Sequence, residues 1–175
     1  MSELKHRLKS TIRDVPDFPK PGILFKDITP VLSQPALMRD LTEHLAGIYR
    51  GANIDTVVGM ESRGFIFGAP LAMALDAAFV PARKPGKLPY ERISEEYALE
   101  YGTARLDMHI DAIAHGHRVL IIDDLIATGG TAAATARLVE RLGGHVAGFA
   151  FVIELAFLNG REVLGAYDVQ SVVTY

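Results

Sequence analysis

The residues with the clearest chemical potential lie in the segment VLIIDDLIATGGT, residues 119–131. An apolar run leads into two adjacent acids, Asp123 and Asp124, and then into Gly129 and Gly130 between two threonines. Such a run is typical of a strand covered on both faces, and glycines directly before a helix allow backbone N–H groups to approach an anion closely. Because carboxylates repel the same anion, the segment predicts a ligand with two chemically different parts.

A ribose 5-phosphate unit has two such parts. Carboxylates accept hydrogen bonds from vicinal hydroxyls and orient water on Mg²⁺, which suits Asp123 and Asp124 to the ribose end. We expect the 5-phosphate to be held by the loop that follows, which consists of Ala127, Thr128, Gly129, Gly130 and Thr131. No lysine follows the glycines and the spacing is not GxGxxG, so a nucleoside triphosphate or a dinucleotide is poorly supported. Taken alone, the two acids could be a solvated strand end, and the TGGT segment could be the start of an ordinary helix. The two features together and in this order favour a sugar phosphate as the ligand.

Apolar periodicity predicts the elements that must position this segment. The predicted helices cover residues 4–12, 35–49, 64–75 and 131–142, and the predicted strands cover 54–60, 77–83, 105–110, 118–122, 145–153 and 167–175. Four prolines between residues 13 and 30 predict an extended loop there. Alternating strands and helices favour an α/β fold with a central, mostly parallel sheet flanked by helices.

Residues 84–102 lack a core-facing period and contain Lys84, Lys87, Glu100 and Tyr101. A long polar loop in a compact domain is often a functional lid, and a disordered insertion is the alternative. We expect one domain over residues 1–175, since this length is sufficient to bury a core.

Composition excludes several classes of function. There are 21 acidic and 18 basic residues, so the chain as a whole has no attraction for nucleic acid or an anionic membrane. The chain has no cysteine, which excludes disulfides and thiolate metal sites, and its six histidines are scattered. No segment approaches the apolar length of a membrane span. We therefore expect a soluble cytoplasmic protein.

The segment 119–131 resembles the phosphoribosyl-pyrophosphate (PRPP) binding signature of type I phosphoribosyltransferases. Further segments narrow the resemblance to members of this family that act on adenine: DFPKPGILFKDITP (17–30), ESRGFIFG (61–68), RKPGKLP (83–89), LEYG (99–102) and ELAFLNGRE (154–162). The set covers nearly the whole chain in the family's order. It implies the type I phosphoribosyltransferase fold, with an N-terminal hood at 1–34 that binds the base and a flexible lid loop at 84–102.

The resemblance implies a site for each part of PRPP and for the base. It assigns Ser62, Arg63, Arg83, Lys84 and Lys87 to the pyrophosphate, and it assigns Leu24, Phe25, Lys26 and Leu125 to adenine, with backbone atoms of Leu24 and Lys26 at the edge of the purine. Phe25 is expected to stack on the purine ring, and the alternative is that Phe25 only packs in the core. No lysine follows Lys87, whereas related enzymes for 6-oxopurines use a lysine after the PRPP loop, and this absence favours adenine.

The resemblance also implies how the reaction proceeds. Glu100 is expected to handle the proton of a purine ring nitrogen, with Tyr101 beside it in the lid. Mg²⁺ is expected to bind mainly through PRPP and water, with no direct protein ligand, and a homodimer is implied. Transfer to xanthine, hypoxanthine or guanine, or PRPP binding by a non-catalytic regulator, are the alternatives.

Overall fold

The computed structural model describes residues 3–98 and 102–175, in two compact units, residues 1–44 and 45–175. The first unit contains helix α1, a two-stranded antiparallel sheet of β1 and β2, and a short helix α2. Their bounds are α1 Glu3–Thr11, β1 Arg13–Pro16, β2 Leu24–Asp27 and α2 Thr29–Leu32. The prediction of a purely extended loop over 13–30 is therefore wrong. The prolines flank the strands or end them, so a hairpin forms between them.

Helix α3, Pro35–Tyr49, has the bounds that the leucine period predicts. Leu37, Leu41 and Leu45 are buried as expected, but Ile48 is 42% exposed. The helix spans the boundary between the two units. Near its end, the Tyr49 hydroxyl donates a hydrogen bond of 3.0 Å to the carbonyl oxygen of Phe149.

The second unit is built on a five-stranded parallel sheet, which confirms the predicted fold class. Its strands lie in the order β4-β3-β7-β8-β9. The bounds of its strands and helices are β3 Thr56–Met60, α4 Gly64–Leu75, β4 Ala78–Ala82, β7 Arg118–Ile126, α5 Gly130–Arg141, β8 His145–Glu154, α6 Gly160–Val163 and β9 Val169–Thr174. Among the described residues, no helix has the length and apolar character to cross a membrane.

The strand order creates a switch point between β3 and β7. From β3 the chain proceeds through α4 to β4 on one side, and from β7 it proceeds through α5 to β8 on the other. Right-handed crossovers in opposite directions place α4 and α5 on opposite faces of the sheet. In open parallel sheets, ligands bind beyond the carboxyl ends of the strands at such a point. Both glycine-containing segments of the sequence analysis, ESRG and the loop after β7, lie at this edge.

A separate antiparallel hairpin occupies much of the predicted lid. Its strands are β5 Arg92–Ala98 and β6 Thr103–His109, so the prediction of an irregular loop over 84–102 is wrong for residues 92–98. Leu106 and Met108 of β6 are buried in the same core as the sheet and α5, whereas Ile110 follows the strand and is exposed. The polar, alternating sequence of β5 hid this strand, because only one face of the hairpin packs on the core.

Candidate active site

The two acids lie inside strand β7 and not after its end. The predicted strand ends at residue 122, but pairing with β8 continues as far as Ile126, which lies opposite Glu154. Asp124 is buried and its N–H donates a hydrogen bond of 2.8 Å to Asp123 Oδ1. Although Asp123 and Asp124 are consecutive in the strand, both side chains line the same cavity at the sheet edge.

The loop after β7 forms a cavity of about 100 Å³ with the residues around it. Its lining includes all five residues predicted to hold a phosphate, Ala127 to Thr131, together with Asp123 and Leu125. Gly129 has a φ of +81°, a conformation that side chains rarely adopt, and it caps helix α5. The unpaired N–H groups of the first turn of α5 therefore lie at this cavity, where an anion is favoured.

A second cavity of about 200 Å³ lies beside the first. It is lined by Glu61, Ser62, Arg63, Lys84, Asp123 and Asp124. Arg63 Nε donates a hydrogen bond of 2.5 Å to Asp124 Oδ2. Asp123 lines both cavities, so one carboxylate lies between a loop of backbone N–H groups and a pocket that contains Arg63 and Lys84.

Asp123 carries the most perturbed carboxyl group of the site. Burial raises the pKa of Asp123 well above its usual value, and the negative charge of Asp124 raises it further. The Asp124 N–H and the Arg63 charge act in the opposite direction without reversing the shift. A ligand that donates hydroxyl hydrogens or brings a cation would favour the ionised form of this acid.

Glu61 binds Arg83 and Lys84, two of the three residues of the basic cluster Arg83, Lys84 and Lys87. No role is predicted for Glu61 from the sequence. Its Oε2 accepts a hydrogen bond of 2.9 Å from Arg83 Nε and one of 2.8 Å from the Lys84 backbone N–H. Burial alone would raise the pKa of Glu61, but these hydrogen bonds hold it below its usual value. The Arg83 guanidinium also lies 5.6 Å from the centre of the Phe65 ring. The sequence feature that could have identified Glu61 is an acid directly after a buried strand and directly before Ser62, Arg63 and Gly64.

The remaining candidate residues lie elsewhere. Lys87 is exposed and lines neither cavity. Leu24, Phe25 and Lys26 form most of strand β2 in the first unit, where the Phe25 ring lies edge-on to Phe18 with centres 5.1 Å apart. Glu100 and Tyr101 lie outside the described residues.

Ion pairs hold the β5–β6 hairpin against helix α5. Glu95 accepts hydrogen bonds of 2.5 Å from Arg137 and 3.0 Å from Arg141, and Arg141 also donates to the Ser94 carbonyl. A methyl group at Gly130 would lie 3.4 Å from the Ala98 carbonyl oxygen, so the end of β5 contacts the phosphate-cavity loop. The hairpin therefore brings the end of β5 close to this loop.

The described residues offer little direct ligation for a metal. Within residues 3–98 and 102–175, no group of three or more His, Cys, Asp or Glu side chains could surround an ion. The pair Asp123 and Asp124 fits a hard cation only if ligand oxygens and water complete its shell, which is how Mg²⁺ binds beside phosphates.

Comparison with known proteins places this geometry in a family. The phosphoribosyl transferase domain family matches residues 27–172. Adenine phosphoribosyltransferase of Myxococcus xanthus is 55% identical over 96% of this chain and 91% of its own length, and that of Solibacter usitatus is 58% identical over 96% and 97%.

Solved structures agree with these relatives. The crystal structure of adenine phosphoribosyltransferase from Thermoanaerobacter pseudethanolicus superposes with a TM-score of 0.95 at 52% identity, covering 97% of this chain and 99% of that one. The Saccharomyces cerevisiae enzyme, complexed with an imino-altritol bisphosphate and adenine, superposes with a TM-score of 0.93 at 42% identity, covering 99% and 100%. The chain therefore belongs to the phosphoribosyltransferase family and, within it, to the adenine phosphoribosyltransferases.

Proposed function

We propose that this chain transfers the phosphoribosyl group of PRPP to adenine, giving AMP and pyrophosphate, a step of purine salvage. The observation that carries the proposal is that Asp123 lines both the phosphate-loop cavity and the cavity that contains Arg63 and Lys84. PRPP has a phosphate at C5, a diol in the middle and a pyrophosphate at C1, so it requires this order of groups. The identity of the relatives supports adenine as the acceptor.

The 5-phosphate is assigned to the loop and the diol to the acids. Backbone N–H groups of Ala127 to Thr131, with the hydroxyls of Thr128 and Thr131, donate to the phosphate oxygens. Asp123 and Asp124 accept hydrogen bonds from the ribose hydroxyls. Hydroxyl donation favours the ionised carboxylate, so binding of the sugar opposes the effect of burial on the pKa of Asp123.

The pyrophosphate is assigned to the cavity beside Arg63 and Lys84 and to the basic residues near it. Ser62, Arg63 and Lys84 line that cavity. Arg83 is held by Glu61, and Lys87 follows three residues after Lys84. Arginine forks match phosphate oxygens in geometry and charge, and the negative charge grows on the pyrophosphate as the C1–O bond breaks. These side chains therefore stabilise the leaving group.

Adenine is assigned to strand β2 of the first unit. Pro16 is paired with Leu24 and has no N–H, which favours a ladder in which Leu24 and Lys26 direct their backbone groups away from β1. A carbonyl then accepts from the 6-amino group of adenine and an N–H donates to N1. A 6-oxopurine inverts both groups and would leave them unpaired. Phe25 contributes an aromatic face.

The reaction joins N9 of adenine to C1 of the ribose while the bond from C1 to the pyrophosphate oxygen breaks, with inversion at C1. Glu100 is assigned as the group that accepts the proton that the purine loses, and Tyr101 is assigned to the lid. Closure excludes water, which would otherwise hydrolyse PRPP. Mg²⁺ would bind mainly through oxygens of PRPP and water, with Asp123 and Asp124 orienting that water, and it would neutralise phosphate charge when bound. A homodimer and a cytoplasmic location complete the proposal.

The test is an AMP-formation assay with PRPP and Mg²⁺, in which adenine, guanine, hypoxanthine and xanthine compete. We expect AMP as the dominant product, and preference for a 6-oxopurine would refute the assignment to adenine. Glu100→Ala should abolish most turnover with PRPP binding retained. Glu91→Ala, an exposed glutamate before the same hairpin, is the control and should behave as wild type.

A further inference from the structure

The segment that follows β8 lies directly against the loop that follows β7. The Leu155 N–H donates a hydrogen bond of 3.0 Å to the Ile126 carbonyl oxygen, which continues the β7–β8 pairing beyond both strands. A short 3₁₀ turn over Ala156–Leu158 and a left-handed Asn159, with a φ of +53°, then redirect the chain into α6. The first residue of α6, Gly160, is buried.

Gly160 and the phosphate loop meet backbone to backbone. A methyl group added to Gly160 would lie 2.1 Å from the carbonyl oxygen of Ala127 and 3.0 Å from the backbone nitrogen of Gly129. A methyl group added to Gly129 would lie 2.4 Å from the carbonyl oxygen of Gly160. These atoms belong to backbone, which cannot move aside as a flexible side chain can. Only glycine therefore fits at either position with the loop in this conformation.

Arg161 anchors the same segment to two strands. Its Nε and Nη2 donate to the two carboxylate oxygens of Glu154 over 3.0 and 2.6 Å, and its Nη1 donates to the Val169 carbonyl oxygen over 2.6 Å. The Glu154 side chain is 10% exposed. A two-pronged pair of this kind restrains direction as well as distance. Arg161 thus connects the end of β8, the start of β9 and the first turn of α6.

We propose that Gly160 and Arg161 are positioning residues for the 5-phosphate loop. Neither residue lines the phosphate cavity. Gly160 supports the loop from outside, so that the peptide groups of Ala127 to Gly129 keep the orientation in which their N–H groups face the cavity. Arg161 keeps Gly160 at that position. A site made of backbone donors has no side chains that can reorient, so its affinity depends on this external support.

This inference rests on the proposed function, because it assigns the loop to the 5-phosphate. The decisive variant is Gly160→Ala, assayed in both directions of the reaction. We expect KM for PRPP and for AMP, which carry the 5-phosphate, to rise by about 10- to 100-fold. KM for adenine and for pyrophosphate should change less than about 2-fold, since these ligands do not contact the loop. A merely structural loss would affect all four substrates alike.

Gly51→Ala is the matched control, because Gly51 is exposed and a methyl group there meets no atom within 4 Å. It should leave all four KM values at wild-type levels. If Gly160→Ala fails to fold, Arg161→Met and Arg161→Lys replace it, since neither introduces a clash. Arg161→Met should raise KM for PRPP and AMP selectively, and Arg161→Lys, which keeps the charge, should restore part of the loss.

Titration calorimetry with ribose 5-phosphate separates failure of this inference from failure of the proposed function. Wild type that binds ribose 5-phosphate but forms no AMP would overturn the transferase assignment alone. Wild-type affinity for ribose 5-phosphate in folded Gly160→Ala, or an equal rise in all four KM values, would overturn the positioning role.

Discussion

The ion pair between Arg63 and Asp124 allows a measurement of how much one interaction within the site stabilises the fold. The two side chains are unequally buried, with Asp124 4% exposed and Arg63 43% exposed. Arg63→Met removes the donor and leaves the Asp124 carboxylate buried beside Asp123. Asp124→Asn removes the acceptor charge, and the double variant completes a thermodynamic cycle that isolates the coupling between the two residues.

The structure sets the size of this coupling. Removing one partner of a fully buried pair costs about 3–5 kcal/mol, whereas exposed pairs contribute about 0–1 kcal/mol. The exposure of Arg63 requires a discount for solvent screening, so we expect a coupling free energy of about 2 kcal/mol. Arg63→Met should lower the melting temperature by about 4–8 °C, because about 1 kcal/mol corresponds to about 2–4 °C in a chain of this length.

Urea unfolding of the four proteins measures the coupling, and Arg7 with Asp40 supplies the control cycle. That pair has a similar distance of 2.6 Å, but its side chains are 37% and 48% exposed. Its coupling should be below about 1 kcal/mol. The reasoning would be refuted if the two cycles gave equal coupling energies. PRPP should also stabilise wild type more than Arg63→Met, since Arg63 is assigned to the pyrophosphate.

Three further predictions follow from the site and its support. Asp123→Asn should raise the melting temperature at pH 8 by about 2–4 °C and lower the rate of AMP formation. The folded-state pKa of Asp123 is raised, so wild type loses stability as the pH increases through that pKa. The gain in melting temperature should therefore vanish near pH 4, where wild-type Asp123 is protonated in the folded protein. Gly68→Ala should lower the free energy of unfolding in urea by about 1–3 kcal/mol, because its methyl group would lie 2.7 Å from the Phe79 ring. Gly47→Ala should instead stabilise helix α3 by about 0.5–1 kcal/mol, because a methyl group there meets no atom within 4 Å. Glu61→Gln should raise the steady-state KM for pyrophosphate more than the KM for adenine, because the variant loses the negative charge that holds Arg83. Equal changes in the two KM values would contradict this prediction.

The controls for these variants are built into the same assays. For Asp123→Asn, a melting temperature that stays below wild type at pH 8 would show that the acid pair does not oppose folding. For the glycines, equal changes at positions 47 and 68 would show that the close approach to Phe79 carries no cost. Circular dichroism of each variant establishes that the fold is retained before activity is compared.

Several parts of the molecule followed from local sequence alone. Helix α3 has its predicted bounds because its leucines repeat at helical spacing, and α4 has its predicted bounds because glycine and apolar residues succeed a buried strand. The loop over 127–131 is predicted as an anion site from sequence because backbone donors before a helix depend only on residues adjacent in the chain. Local patterns of this kind are set by the neighbours that a residue carries in its own segment.

Other parts depended on which strands became neighbours. β7 extends to Ile126 only because β8 continues to pair with it, and the sequence shows no signal for that length. Glu61 meets Arg83 because β3 and β4 are adjacent, and Gly160 meets the phosphate loop because β8 lies beside β7.

The polar residues of β5 become a strand only when β6 is present to pair with them. The sequence by itself determined the chemistry of each segment, since residue types and short spacings specify donors, acceptors and charges. The tertiary structure decided which segments share a site, because contacts between distant residues depend on the strand order of the whole sheet and on the few glycines that allow two backbones to touch.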